Sequence, residues 1–206
     1  MAYNSNYGNS FQRTTPVVLN LIIINALVFF AQLALDGPDE IISGKIALWP
    51  YNNPNFRPYQ LVTHMFAHGG WAHILFNMFA LWSFGSLLER SWGPKRFLIF
   101  YLVCGLTAGL SHLFFENVPA VGASGAIMGL FAAFAYLFPN TQLIIFPIPV
   151  PIKAKFAVAM MAAIDLFGGV YPTAGGNIAH FAHLGGLVMG FILVIFWNRN
   201  NKKTFY

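Results

Sequence analysis

The sequence predicts an all-α membrane protein, six transmembrane helices in a compact bundle with both termini cytoplasmic. Composition is the first reason: of 206 residues 57% are hydrophobic and only 8% charged, against roughly 25% charged in ordinary soluble domains. So few charges do not cover the surface of a soluble domain this long. The second is the recurrence of apolar runs of about 20 residues, the length that crosses a bilayer core as a helix. The third is the placement of Lys and Arg, which collect on one side once the chain is threaded back and forth.

The elements follow in order. Residues 1–16 are polar with a single Arg13 and read as a cytoplasmic tail. The run after them is too long for the apolar core of a cleavable leader. The first span is expected at about 17–35 and an outer loop at about 36–59. The second, at about 60–87, is the longest, because its first third carries histidines near the interface. A third is expected at about 96–115 and a sixth at about 179–197; the fourth (about 123–138) and fifth (about 154–170) are short and contain glycine. One six-helix domain thus occupies 17–198, and 199–206 is a basic cytoplasmic tail. With this threading Arg13, Arg90, Lys95, Arg96, Lys153, Lys155, Arg199, Lys202 and Lys203 are cytoplasmic, nine of the 11 basic residues, and Lys45 and Arg57 are outside. The net charge of +5 is therefore topological. It forms no basic stripe, so nucleic acid is not an expected partner.

Polar groups inside hydrocarbon are costly and mark function. Ser124, in Gly122-Ala123-Ser124-Gly125, opens the fourth span, and His183 lies about one turn into the sixth. Both spans enter from the outer side, as does the second, with His64, His68, His73 and Asn77 in its first half. Three groups distant in sequence thus reach a similar depth, while Asp165 and His112 read as isolated. Gly125 and Gly129 are four apart, as are Gly186 and Gly190. Such small-x-x-x-small pairs let membrane helices approach closely, and this approach brings Ser124 toward His183. Ordinary glycine packing is the plainer reading of either pair alone.

The residues leave several readings of the polar cluster open. A serine beside a base is a nucleophile arrangement. His64-x3-His68 has metal-ligand spacing, with His180 as a third candidate, although no Cys or carboxylate joins them. A third reading is a small transporter, against which stand the absence of an internal repeat and the one-sided polar groups. Cys104, the only cysteine, reads as an apolar filler and excludes an intrachain disulfide. Trp49, Trp71, Trp92 and Trp197 read as interfacial anchors.

The set Phe56-Arg57, His68-x4-His73-x3-Asn77, Glu89-Arg90 with Gly93, Gly122-x-Ser124-Gly125 and His183-x2-Gly186-x3-Gly190 resembles the rhomboid intramembrane serine proteases, in family order. The resemblance implies a six-helix core and a Ser124–His183 dyad without an aspartate. It implies His73, Asn77 and the Ser124 backbone N–H at the oxyanion site, with no metal or cofactor. Implied partners are the bilayer and transmembrane protein substrates cut near their outer ends. A client-binding relative without proteolysis is the alternative, weakened by the presence of both dyad residues. Two positions depart from the family pattern: Phe56 stands for a tryptophan, and Met128 for an aromatic found in some members. Arg57, Glu89, Gly122, Gly125, Gly186 and Gly190 are expected to be structural, with Glu89 pairing with Arg90, Lys95 or Arg96. The His-x2-Gly-x3-Gly pattern selects His183 as base over His180, which is expected to meet water or a cap loop at about 168–178. A bacterial inner membrane is the expected location.

Overall fold

The computed structural model describes residues 14–37, 40–145, 148–171 and 178–200. Most of the two predicted tails, Asp39, and residues 172–177 of the predicted cap loop lie outside these. Helix α1 (Pro16–Leu35) leads into α2 (Ser43–Ile46), α3 (Gln60–Thr63), a 3-10 turn (His64–Phe66) and α4 (Trp71–Ala80). A π turn (Leu81–Gly85) joins α4 to α5 (Ser86–Trp92), followed by α6 (Pro94–Phe115) and α7 (Ser124–Leu137). An antiparallel hairpin, β1 (Gln142–Ile145) and β2 (Ile148–Lys153), precedes α8 (Ala154–Val170) and α9 (His180–Asn200).

Among the described residues four stretches are long and apolar enough to cross a membrane: Pro16–Leu35, Trp71–Trp92, Pro94–Phe115 and His180–Arg199. Helices α7 and α8 have 14 and 17 residues. At 1.5 Å per residue 14 residues cover only about 21 Å, less than the ~30 Å hydrocarbon core. Helix α7 is also the most enclosed, wedged among α6, α8 and α9.

The predicted second span is not one helix. It breaks after Phe66 and restarts at Trp71. Gln32 on α1 causes part of the break: its Oε1 accepts from His68 N (3.0 Å) and its Nε2 donates to His68 O (3.3 Å). Backbone groups held this way are lost to a helix, and Gly69-Gly70 follow at once. The hairpin was not expected either. Its Ile/Pro/Val alternation at 148–152 suits a short strand pair better than a featureless connection.

Apolar side chains cover the outside, and several polar ones are buried within. Leu27, Phe30, Phe79, Trp82, Phe114 and Phe167 are exposed, whereas Asn25, Gln32, Gln60, Asn77, Glu89 and His112 are buried. That is the arrangement for hydrocarbon, where polar groups pair internally. The apolar core has its largest side chains toward the Trp92 end, with Val18, Leu88, Phe97, Phe100 and Tyr101, and continues to Met65, Ala123 and Ala126 near Ser124. At the Trp92 end Glu89 does not pair with Arg90, Lys95 or Arg96. It accepts hydrogen bonds from Val17 N (3.0 Å) and Val18 N (2.8 Å), capping α1. The first N–H groups of a helix lack internal acceptors, and a carboxylate satisfies them while opposing the positive end of the dipole. Trp92 is likewise no surface anchor: it is buried against Phe100 and Trp197.

Candidate active site

The segment entering α7 is held from two directions. Leu48 and Ala120 exchange both backbone hydrogen bonds (2.9 and 3.0 Å), and Gly122 N donates to His64 O (2.8 Å). Gly122 has φ 125, and a Cβ there would sit 2.7 Å from Nε2 of His73. A side chain is therefore excluded both by conformation and by space. Released from this turn, the chain begins α7 at Ser124.

Helix α9 reaches Ser124 because glycines let it. A Cβ on Gly186 would strike the carbonyl oxygen of Gly125, and one on Gly190 would come within 2.5 Å of Gly129 Cα. The two glycine pairs thus face each other, backbone against backbone. On the other side Ala108 and Cys104 of α6 fill the space beside Gly125 and Gly129. One turn beyond this contact, Ser124 Oγ and His183 Nε2 are 2.8 Å apart.

Two further groups gather there. His73 and Asn77 lie on one face of α4, both beside Gly122. Asn77 is buried, and its Nδ2 has no hydrogen-bond partner among the described residues. His73 Nδ1 accepts from Gly69 N (3.3 Å), and its ring meets that of His68 edge-on at 5.0 Å. The N–H groups of the first turn of α7 have no intrahelical acceptor. Chemically, the site offers a hydroxyl, a base in contact with it, and unengaged N–H donors beside both.

His64 and His68, outside the membrane-crossing stretches, are pushed down to about 4 by burial. Both are neutral at pH 7. His64 Nδ1 contacts Gln60 O (2.8 Å), and His180 turns toward α8, so the suggested trio of His64, His68 and His180 is not gathered.

A family model described as the rhomboid domain matches residues 55–200, from the outer loop to the end of α9. The chain belongs to the rhomboid family. It is 32% identical over 185 residues to Rhomboid protease GluP of Bacillus subtilis (strain 168), covering 88% of this chain and 35% of that protein. Rhomboid protein 1, mitochondrial, of Saccharomyces cerevisiae is 33% identical over 137 residues, 63% of this chain and 39% of the relative. Rhomboid protease GlpG of Yersinia pestis (strain Pestoides F) is 25% identical over 194 residues, 92% of this chain and 65% of the relative. This rhomboid therefore spans a third to two thirds of the length of these relatives. Family and apolar helices together make it an integral membrane protein.

Sequence reasoning passed over four residues of this rhomboid. Asp165 is not isolated: its Oδ1 accepts from His183 Nδ1 (3.0 Å) and His180 Nδ1 (2.8 Å). His180 accordingly meets a carboxylate. His112, in the last turn of α6, is fully buried and not isolated. Its Nε2 donates to Val118 O (2.7 Å), and its Nδ1 lies 3.3 Å from Glu116 without hydrogen-bond geometry. Glu116, just past α6, accepts from Phe181 N (2.9 Å) and so caps α9. Burial raises its carboxyl, but the adjacent His112 side chain, the bond from Phe181 N and the nearby His180 together hold it below its ordinary value. Gln60 is the hub of the outer loop, donating to Lys45 O and Asn55 O and accepting from Arg57 N. Arg57 itself ties that loop through Pro54 O and Phe56 O. The signal for Asp165 was present, since an acid within an apolar span is costly. Only its partners were illegible.

Proposed function

We propose that this rhomboid is an intramembrane serine endopeptidase that cleaves transmembrane protein substrates near their outer ends. The observation that carries the reading is the 2.8 Å contact of Ser124 Oγ with His183 Nε2 at the first residue of α7. Ser124 attacks the scissile carbonyl as His183 removes its proton. His183 then returns a proton to the leaving amine, and water releases the acyl group by the same route. Negative charge develops on the carbonyl oxygen beside Asn77 Nδ2, His73 and the Ser124 N–H, the three groups assigned to stabilise it. Arg57, Glu89, Gly122, Gly125, Gly186 and Gly190 are assigned structural roles and do not touch substrate. No step calls on a metal or cofactor.

The topology assigned to it has six spans and cytoplasmic termini, supported by the distribution of nine cytoplasmic against two outer basic residues of the 11. On that topology Ser124 opens toward the outer leaflet. A bacterial inner membrane is the assigned location, supported by the bacterial relatives.

The test is cleavage of a reporter transmembrane substrate in liposomes, with fluorophosphonate labelling in parallel. Wild type is expected to cleave and to label. Ser124→Ala is expected to do neither while remaining folded, and His183→Ala is expected to be inactive. Undiminished cleavage by Ser124→Ala would sink the mechanism.

A further inference from the structure

Asp165 is a buried acid on a helix whose neighbouring residues Ile164, Leu166 and Phe167 are exposed to lipid. A lone carboxylate is expensive in such a place, so its partners identify its use. Its Oδ1 meets Nδ1 of His183 at 3.0 Å and Nδ1 of His180 at 2.8 Å. A carboxylate only accepts hydrogen bonds, so both Nδ1 atoms carry hydrogen. A neutral imidazole carries one N–H, which leaves the Nε2 lone pair of His183 facing Ser124 Oγ at 2.8 Å. This is the tautomer that a general base requires.

The contact is built into the packing. A Cβ on Gly168 would lie 2.5 Å from the His180 ring, and one on Gly169 would lie 2.8 Å from the Phe181 ring. Glycines at the end of α8 therefore let it lie directly on the start of α9, carrying Asp165 to His183.

We propose that Asp165 is a positioning residue for His183, fixing its Nδ1–H tautomer and facing the imidazolium that forms during catalysis, with His180 as its second anchor. The proposal rests on the serine-protease reading above and goes beyond the two-residue dyad. As the bond from Ser124 Oγ to the substrate carbonyl carbon forms, the Oγ proton passes to His183 Nε2. The ring then carries a positive charge against the Asp165 carboxylate. The Nε2 proton leaves with the amine as the C–N bond breaks, and Asp165 keeps its charge throughout. Other ionisable groups around His183 are His180 on α9 itself, His73 on α4, and Glu116 beyond α6, the last acting through His180.

The full chain in liposomes, with the same reporter, tests this through Asp165→Asn and Asp165→Glu. Asp165→Asn is expected to lower kcat by roughly 100- to 10,000-fold, the upper end being the loss seen when a triad aspartate is neutralised. KM and melting temperature should stay near wild type. The acidic limb of kcat/KM should change as well, because the imidazolium loses its counter-charge. Asp165→Glu should recover part of the rate. A drop in melting temperature with unchanged rate and pH limb per folded molecule would make Asp165 merely structural and overturn the proposal. Histidine 15N spectra of the unmutated protein give a reading independent of proteolysis: a neutral His183 protonated on Nε2 overturns the proposal whatever the rates. Cleavage that does not depend on Ser124 would instead fell the protease reading, and the role of Asp165 with it.

Discussion

At the Trp92 end of the bundle, large side chains set the helix spacing: Trp92, Phe100 and Trp197 pack with ring centroids 4.9 to 5.8 Å apart. At the Ser124 end, α7 and α9 meet backbone to backbone at Gly125, Gly129, Gly186 and Gly190. Side chains yield by a rotamer change; backbones do not. The polar groups differ in the same sense. Glu89 accepts two main-chain N–H groups whose protons stay where they are. In Ser124–His183–Asp165 the hydrogen bond between Ser124 and His183 contains a proton that can change owner. One end therefore supplies stability and the other a geometry that has to be kept to within fractions of an ångström. Substitutions should separate along that line.

Asn77→Ala strikes the chemistry of the Ser124 end most directly among the changes that separate the two ends. It removes a buried donor that has no partner among the described residues and so is free for a developing oxyanion. Turnover should fall by about 10- to 1,000-fold, the upper end being typical of one oxyanion donor. KM and melting temperature should change little. A loss confined to KM would remove Asn77 from the oxyanion site.

A matched pair of glycines comes next. Gly186→Ala drives a Cβ into the Gly125 carbonyl, so α9 must move away from α7. A misplacement of about 1 Å costs about 100-fold in rate, and at least that loss is expected in reporter cleavage per folded molecule. Gly85→Ala, toward the Trp92 end, places its Cβ 3.1 Å from side-chain atoms of Leu81, Phe97 and Val18. These can shift, so the expected change is about 1 kcal/mol of stability with activity per folded molecule retained. Equal losses in the two variants would erase the distinction between the ends.

How far the sequence reached differs by region for physical reasons. Helix positions were legible where apolar runs are long and contiguous: the helix expected at about 154–170 is α8. The facing of Gly125 with Gly186 and of Gly129 with Gly190 was legible because small residues four apart mark a helix stripe. The break between Phe66 and Trp71 was not, since it depends on Gln32, more than thirty positions earlier, gripping the His68 backbone. Asp165 was visible as an anomaly but not as a partner of His183, because that contact depends on how α8 lies across α9. Glu89 was misread for the same reason: the nearest cations in sequence were weighed, and the N-terminus of α1, distant in sequence, was not.

Glu89→Ala tests the apolar end directly. It deletes two charge-assisted hydrogen bonds to Val17 N and Val18 N and leaves one buried and one part-buried N–H group unpaired. Bonds to charged groups contribute roughly 1.5–3 kcal/mol, so a stability loss of about 2–3 kcal/mol is expected in detergent. Reporter cleavage per folded molecule should stay near wild type. A specific rate loss with unchanged stability would tie Glu89 to the site and weaken the separation of the two ends.

A change of pH, with no substitution at all, probes stability at the polar end. Burial pushes His64 and His68 from the ordinary 6.5 down to about 4 in the folded protein. In the unfolded chain both take up protons near their ordinary value, so below it the unfolded state binds more protons than the folded one. Stability must then fall as pH drops from about 6.5 to about 4, and the slope from each histidine is at most about 1.4 kcal/mol per pH unit. Glu116, whose carboxyl is held below its ordinary 4.5, loses its contribution only as pH falls through its still lower folded value, so it does not create the slope above pH 5. Melting temperatures in detergent at pH 7.5, 6.5 and 5.5 should be level over the first step and fall over the second. His68→Gln should reduce that fall by up to half. A fall unchanged in His68→Gln would move the acid sensitivity to other groups, and the Ser124 end would no longer be where acid is felt.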